Sequence, residues 1–482
     1  MARNSFRDPA GCLLEVNGRL LRAITGQGVP HLQSFLASSV AQTFIASDRV
    51  VHTRVLSEVE VRNLRAECGR QYLDGIDLHM LVEHQRVPFP SFPHEWSPEL
   101  LHAAAMLTLD LSEGLLSENI GLKDAIPYNI LFRGPEPIFV DVLSFQQRDP
   151  GDSLWLPYAQ FVRSFIIPLL LYKHFGMSPG PVFLSRREGL ELEDVYALSG
   201  PIRRFVFPFL TLITIPKWLG DTPYASDPKR YRKKQVNRPE CAMFILRSLF
   251  KRLRRLLDRV APVSGRRSSW TGYMEGMTHY TKEQLATKQL FVERVVREFR
   301  PRNILDVGCN TGFFSFLAAK SGARVVAIDS DPVVAGDVWR AARKDRLDVL
   351  PLVVDLTRPT PAVGWRNREC LGFLERARGA FDAVLMLAVI HHMLVSERIP
   401  LREIVDVVAD LTRDLAVLEF VAPEDPMFQR LTRGRGELFT GLTTEVFEST
   451  WRRRFEIVRS QKIEHSDRHL YLLRKIPGVS CA

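Results

Sequence analysis

Residues 304–332 read ILDVGCNTGFFSFLAAKSGARVVAIDSDP, and the order of residue types within them decides the architecture. An apolar run ends in Asp306, a turn holds Gly308 and Gly312, an apolar stretch follows, and a second apolar run ends in Asp329. Short apolar runs rich in β-branched residues predict buried strands, and the stretch between them predicts a helix, so the segment is a strand–turn–helix–strand unit. Glycines in such a turn let a ligand approach the backbone, with the amides of the helix N-terminus behind it. The spacing is G-x-x-x-G, whereas a dinucleotide site uses G-x-G-x-x-G to hold a pyrophosphate. With Asp306 two residues before the first glycine, the turn favours a cationic ligand over an anionic one.

The same alternation continues outward. NILDV, RVVAID, VLPLVVD, FDAVLML and LAVLEFV are strand-like and separated by helical stretches, and FEIVRSQKIE and RHLYLLRK close the chain as an antiparallel pair joined by a short link. Seven strands in this order predict a Rossmann-like α/β domain, a mostly parallel sheet with helices on both faces. Ligands of such sheets bind at the carboxyl ends of the strands, where the chain order reverses.

DVGCNTG resembles the first motif of class I S-adenosylmethionine-dependent methyltransferases, with Asn310 where many members carry a central glycine. The resemblance spans about residues 270–475 and implies S-adenosyl-L-methionine as cofactor. By that similarity Asp306 and the turn Gly308, Cys309, Asn310 and Gly312 face its methionine and ribose. Asp329 accepts hydrogen bonds from both ribose hydroxyls, Asp355 lies near the adenine amino group, and Leu387, after the fourth strand, completes the lining. Residues 270–299 resemble the lid helices of related enzymes, where Tyr273, Tyr280 and Lys288 are candidate contacts; the alternative is a helix that merely packs on the sheet.

Methyl transfer from a sulfonium is an in-line displacement, so the protein's main task is to hold the acceptor aligned in a dry site. An oxygen acceptor also needs a base. His391 and His392, in LAVIHHM, fall near the reacting methyl in related enzymes and titrate near neutrality; Glu419 and Asp425, in LEFVAPEDPMF, are second candidates. Each can equally cap a helix or tie down a loop. No histidine or cysteine spacing suggests a metal site.

A chain of 482 residues exceeds one ordinary core, and three segments are expected: an α+β domain over 1–225, a connector over 226–269, and the methyltransferase domain over 270–476. Net charge is +10, but residues 229–267 alone hold fourteen Lys or Arg against Glu240 and Asp258. Within them Leu246, Leu249, Phe250, Leu253, Leu256, Leu257 and Val260 recur at helical spacing, which predicts a basic amphipathic helix. Such a helix either docks its apolar face on a domain or meets an anionic membrane surface or RNA. The six cysteines lie far apart and the N-terminus lacks an apolar leader, so reduced thiols in a cytoplasmic protein are expected, with peripheral membrane attachment as the alternative. FIIPLLLY and FVFPFLTLITIPKWL are too short and proline-broken to span a bilayer; buried helices are expected, or a shallow membrane contact beside Arg203, Arg204 and Lys217.

In the first segment, LKDAIPYNILFRGPEPIFVDVLSF (122–145) resembles the catalytic loop and metal-binding acid of protein kinases and aminoglycoside phosphotransferases. That resemblance would make Asp124 the base and Asn129 and Asp141 magnesium ligands, yet no glycine-rich loop or strand lysine accompanies them, so a silent kinase-like fragment is expected. Taken together, the opening RDPAG…NGRLLRAI, the VPFPSFPHEW segment, the DAIPYN…FVDVLSF block and the DVGCNTG domain resemble two-domain bacterial methyltransferases of the nodulation protein NoeA-like type. The function expected is methyl transfer to an unidentified acceptor, a small molecule, saccharide or glycolipid bearing a hydroxyl or amine. The alternatives are an RNA methyltransferase using 229–267, a bifunctional kinase–methyltransferase, and an interaction protein without cofactor.

Overall fold

The computed structural model describes residues 8–68, 77–220, 236, 238–265 and 280–478; Tyr273 lies outside them. The chain opens with β1 (Gly11–Val16) and β2 (Arg19–Ile24), a hairpin closed by Asn17 and Gly18, both at positive φ. Asn-Gly tolerates that conformation at little cost, and its twist matches the flanking strands. β3 (Thr53–Val55) and β4 (Met80–His84) complete an antiparallel sheet in the order β1-β2-β4-β3. The helix Pro98–Gly114, buried along most of its length, runs behind two short antiparallel pairs. These are β5 (Ile120–Leu122) with β8 (Phe145–Gln147), and β6 (Ile130–Arg133) with β7 (Glu136–Phe139).

The basic helix spans Pro239–Val260, seven residues longer at its N-terminus than its clearest apolar repeat. Leu246, Phe250, Leu253, Leu256, Leu257 and Val260 are buried, and Arg254 pairs with Asp110 at 2.7 Å and Glu113 at 2.9 Å on the helix Pro98–Gly114. The connector is thus part of the core of the first 220 residues rather than a tether. The apolar face from Leu246 onward is covered, while the cationic flank and, nearer the N-terminus, Phe244 and Ile245 meet solvent.

The second half is one seven-stranded sheet in the order β11-β10-β9-β12-β13-β15-β14. Its strands are β9 (Asn303–Val307), β10 (Arg324–Asp329), β11 (Val349–Val353), β12 (Phe381–Met386), β13 (Thr412–Val421), β14 (Phe455–Lys462) and β15 (Arg468–Lys475). All pairs are parallel except those of β15, which runs antiparallel to both neighbours. This is the α/β, Rossmann-like fold. Ile304, Val325 and Ala327 face one apolar layer with Val292 and Val296 of the helix Lys282–Phe299, while Leu305, Val326 and Ile328 face the other. Strands buried on both faces read as unbroken apolar runs, which is why they were legible in sequence.

The first half packs on the second of these layers. Phe89 meets the rings of Phe373 and Phe381 at 5.9 and 5.6 Å, and Trp339 Nε1 donates to the Pro135 carbonyl at 2.8 Å. Arg340 pairs with Glu99 at 2.6 Å, and Arg376 pairs with fully buried Glu95. A Cβ at Gly336 would stand 2.2 Å from the Glu99 carboxylate, so glycine is what lets the two helices close. No helix among the described residues is long and apolar enough to cross a membrane.

Candidate active site

Chain order reverses between β9 and β12, and a cavity of about 340 Å³ opens at the carboxyl ends of β9, β10 and β12, within the ~300–1,000 Å³ of small-molecule sites. Asp306, Gly308, Cys309, Asn310, Asp329, Asp355 and Leu387 all line it. Gly312 does not; it is the N-cap of the helix Phe313–Lys320 at φ 79°. Gly308 and Asn310 are also left-handed, at φ 66° and 45°. That explains Asn310: asparagine is one of the few side chains that visits this region readily. A Cβ on Gly308 would meet Val389 at 2.6 Å, closing the cavity against its opposite wall.

The three acids differ in environment. Asp306 is buried and accepts from Ser315 Oγ at 2.5 Å; burial, reinforced by the charge of Asp329, pushes its carboxyl up to about 7. Asp329 accepts from the Asn310 amide through one oxygen and the Asp331 amide through the other, both at 3.0 Å, and burial raises it as well. Each carboxylate oxygen offers two acceptor positions, so both retain one for a ligand hydroxyl. Asp355 spends Oδ1 on the amide and hydroxyl of Thr357, at 2.9 and 2.6 Å. A site with two acids raised by burial and, among the described residues, no Lys or Arg on its wall but Lys288 fits a ligand that brings positive charge and vicinal hydroxyls, as S-adenosylmethionine does. Cys309 is held as a neutral thiol by burial.

Tyr280 and Lys288 also line the cavity, and behind them lies a buried charge network. Lys288 Nζ stands 2.7 Å from Glu419, and the Tyr280 hydroxyl donates to Glu419 at 2.7 Å. Arg468 contacts Glu419 and the Tyr280 hydroxyl and grips Asp425 with Nε and Nη2 at 2.7 and 3.2 Å. Burial alone would raise Glu419, yet Lys288 and Arg468 hold it below the ordinary carboxylate value. This corrects the expectation for Glu419: it does not reach the cavity wall, and two cations keep it from accepting a proton. Asp425 likewise serves as N-cap of Pro426–Thr432, accepting from the Met427 amide at 2.8 Å.

The two histidines part company. Both lie on the short helix Ile390–Val395 with ring centroids 4.3 Å apart. His391 is buried away from the cavity, its Nδ1 without a hydrogen-bond partner among the described residues, and burial drives it well below its ordinary value. It is therefore a neutral packing residue, a second correction. His392 lines the cavity, and burial lowers it too, which favours the neutral ring, with its nitrogen lone pair, at the site wall. Sequence reasoning missed Arg468 and Ser315; Arg468 carries no local signal, because only strand pairing brings it beside Glu419. Among the described residues no cluster of three metal-ligating side chains occurs.

In the first half, Asp141 pairs with Arg22 of β2 at 2.5 Å and accepts from Ser144 Oγ at 2.6 Å. Ser144 Oγ in turn accepts from Asn129 Nδ2 at 3.0 Å, and Gln160 donates to Asp124 at 3.1 Å. Burial would raise Asp141, but Arg22 and Ser144 hold it low. The structure thus links Asn129 to Asp141 through Ser144, leaves Asp124 on Gln160, and supplies an internal cation where magnesium would need the Asp141 carboxylate.

A methyltransferase-domain family model matches residues 247–474. Over 472 residues the chain is 30% identical to nodulation protein NoeA of Rhizobium meliloti (strain 1021), covering 98% of this chain and 95% of that protein. A shorter match, 32% identical over 130 residues, covers 27% of this chain and 16% of the Escherichia coli O-antigen chain terminator bifunctional methyltransferase/kinase WbdD. The N-methyltransferase NodS from Bradyrhizobium japonicum WM9 superposes on 40% of this chain and 97% of its own, at 15% identity and a TM-score of 0.30. Identity sustained over nearly the full length of both proteins is family membership, and the chain belongs to the NoeA-like S-adenosylmethionine-dependent methyltransferases.

Proposed function

We propose that this methyltransferase acts on a hydroxyl or amine of a saccharide or glycolipid acceptor, and that the first 225 residues position that acceptor against the cofactor cavity. Bound S-adenosylmethionine supplies the electrophilic methyl group. Asp329 and Asp355 hold the nucleoside, Asp306 answers the positive charge, and the turn at Gly308 lets the ligand lie against the backbone. The observation that carries the reading is His392, a neutral imidazole on the cavity wall that can take the proton an oxygen acceptor loses. His392→Ala is expected to lower turnover by about 10²–10⁴-fold on a hydroxyl acceptor, with affinity for S-adenosylhomocysteine nearly unchanged. A drop confined to cofactor affinity would remove His392 from the chemistry.

Support for an extended amphiphilic acceptor comes from the far side of the helix Ile390–Val395. Two cavities of about 460 and 240 Å³ share Leu394, Leu438 and Phe439 there. Arg398, Arg402, Arg435 and Arg453 border them, and none has a carboxylate partner among the described residues. A methyl-labelled cofactor offered with lipid-linked saccharide, free saccharide and RNA fractions tests the class. Label in RNA would favour the alternative that places phosphates on the basic helix; label in saccharide or lipid supports the proposal. The Arg22–Asp141 pair favours a positioning rather than phosphoryl-transferring first half.

Asp306 makes cofactor affinity pH-dependent. Its carboxyl, raised to about 7, takes up a proton as pH falls through that value, and a cationic ligand prefers the ionised form. Binding of S-adenosylhomocysteine, which keeps the ammonium, is therefore expected to weaken by about tenfold from pH 8 to pH 6, one pH unit below the raised value. Calorimetry across that range checks it; constant affinity would place Asp306 out of reach of the ligand's charge.

A further inference from the structure

We infer that residues 198–219, with the C-terminal end of the basic helix, form a docking face for an anionic lipid bilayer. The apolar run FVFPFLTLITIPKWL is only half used in the core: Phe209, Leu212 and Ile213 are buried, whereas Phe205 is 59% exposed and Trp218 46%, and Ile202, just before the run, is 82% exposed. Val206 and Phe207 are exposed between them. The rings of Phe205 and Trp218 lie 6.2 Å apart, so these side chains make one ridge rather than scattered surface residues. Contiguous apolar surface of this kind marks an interaction site.

The cations around the ridge decide what it meets. Arg203 stands over the Phe175 ring at 4.7 Å, Arg204 over Tyr196 at 3.9 Å, and Arg259 over Phe207 at 4.7 Å. Among the described residues none of the three is paired with an acid. Lys173 donates to the Arg259 carbonyl, and Arg259 lies in the last turn of Pro239–Val260, where Arg247, Lys251, Arg252 and Arg255 remain exposed. Apolar ridge and cationic flank are therefore one continuous surface. A nucleic acid has no use for the ridge, and neither element can cross a bilayer. Aliphatic and aromatic side chains entering the acyl boundary, with arginines at the level of the phosphates, is the arrangement of a protein lying on an anionic membrane.

Co-sedimentation of the full-length protein with vesicles of phosphatidylcholine alone, or mixed with phosphatidylglycerol, tests this. Partitioning is expected to be at least about tenfold stronger on the anionic vesicles and to fall with added salt. The double variant Ile202→Glu/Phe205→Glu should lose most of it while its melting temperature and S-adenosylhomocysteine affinity stay those of the parent, since both side chains are exposed. Lys251→Glu/Arg255→Glu should flatten the salt dependence. Equal partitioning on both vesicle types, or an apolar double variant that binds like the parent, would overturn the inference. So would a dimer in sedimentation that the same apolar substitutions dissociate, because the ridge would then belong to a second copy.

Discussion

Replacing Glu419 by Ala is expected to destabilise the protein by about 3–5 kcal/mol, the cost of leaving buried charges without their partner. Glu419 is fully buried and is the carboxylate that Lys288 and one face of Arg468 share. Its removal leaves two cations in a medium that solvates them poorly, and the Tyr280 hydroxyl loses its acceptor. Lys288 can answer by shedding its proton, since burial already lowers it; Arg468 cannot. A fall in melting temperature on the order of 10 °C follows for a domain of this size. Glu419→Gln keeps the shape and should still destabilise, which separates this role from catalysis: a catalytic base would lose activity with stability intact. An unchanged melting temperature in both variants would mean that the network is not what holds Tyr280 and Lys288 against the cavity.

Asp329→Ala carries the second large effect, on binding. The carboxylate keeps one acceptor position on each oxygen after serving the Asn310 and Asp331 amides. Bonds from ribose hydroxyls to a charged acceptor are worth about 1.5–3 kcal/mol, so S-adenosylhomocysteine affinity is expected to drop by roughly 2–3 kcal/mol in calorimetric titration. Part of that loss arises within the turn, since the Asn310 amide loses its partner while that residue sits at positive φ. Asp329→Asn discriminates the two: its amide oxygen can still accept from the Asn310 amide, but it lacks the charge. If Asn restores affinity fully, charge at this position does not matter and the ribose assignment fails.

Much of the second half was legible because its signals are local. Each parallel strand is buried on both faces and so reads as an apolar run, and each site acid stands where such a run ends. Asp306, Asp329 and Asp355 therefore declared themselves by position alone. The antiparallel β14–β15 pair followed from the short link between two strand-like runs. Glu419 lies near the end of β13, and that is why it looked like a site residue; nothing local reveals that Lys288 and Arg468, 131 positions before it and 49 after it, close on its carboxylate.

The first half was less readable for the same reason. Its strands are short, its sheets small, and its core is completed by a helix more than a hundred residues downstream of Pro98–Gly114. Helical spacing announced that the basic helix has an apolar face but not what covers it. The run 205–219 likewise left burial and surface contact both open, and packing buried only part of its apolar residues.

By itself the sequence determined the α/β order, the glycine turn after the first parallel strand, and the three acids at or near strand ends, because each depends on neighbours within a few residues. Only the tertiary structure decided which of His391 and His392 faces the cavity, that Glu419 is held by cations, that Arg22 takes Asp141, and that an apolar ridge stays outside. Those outcomes depend on which charges and surfaces distant segments bring together, and electrostatic and packing partners at long sequence separation leave no periodicity to read.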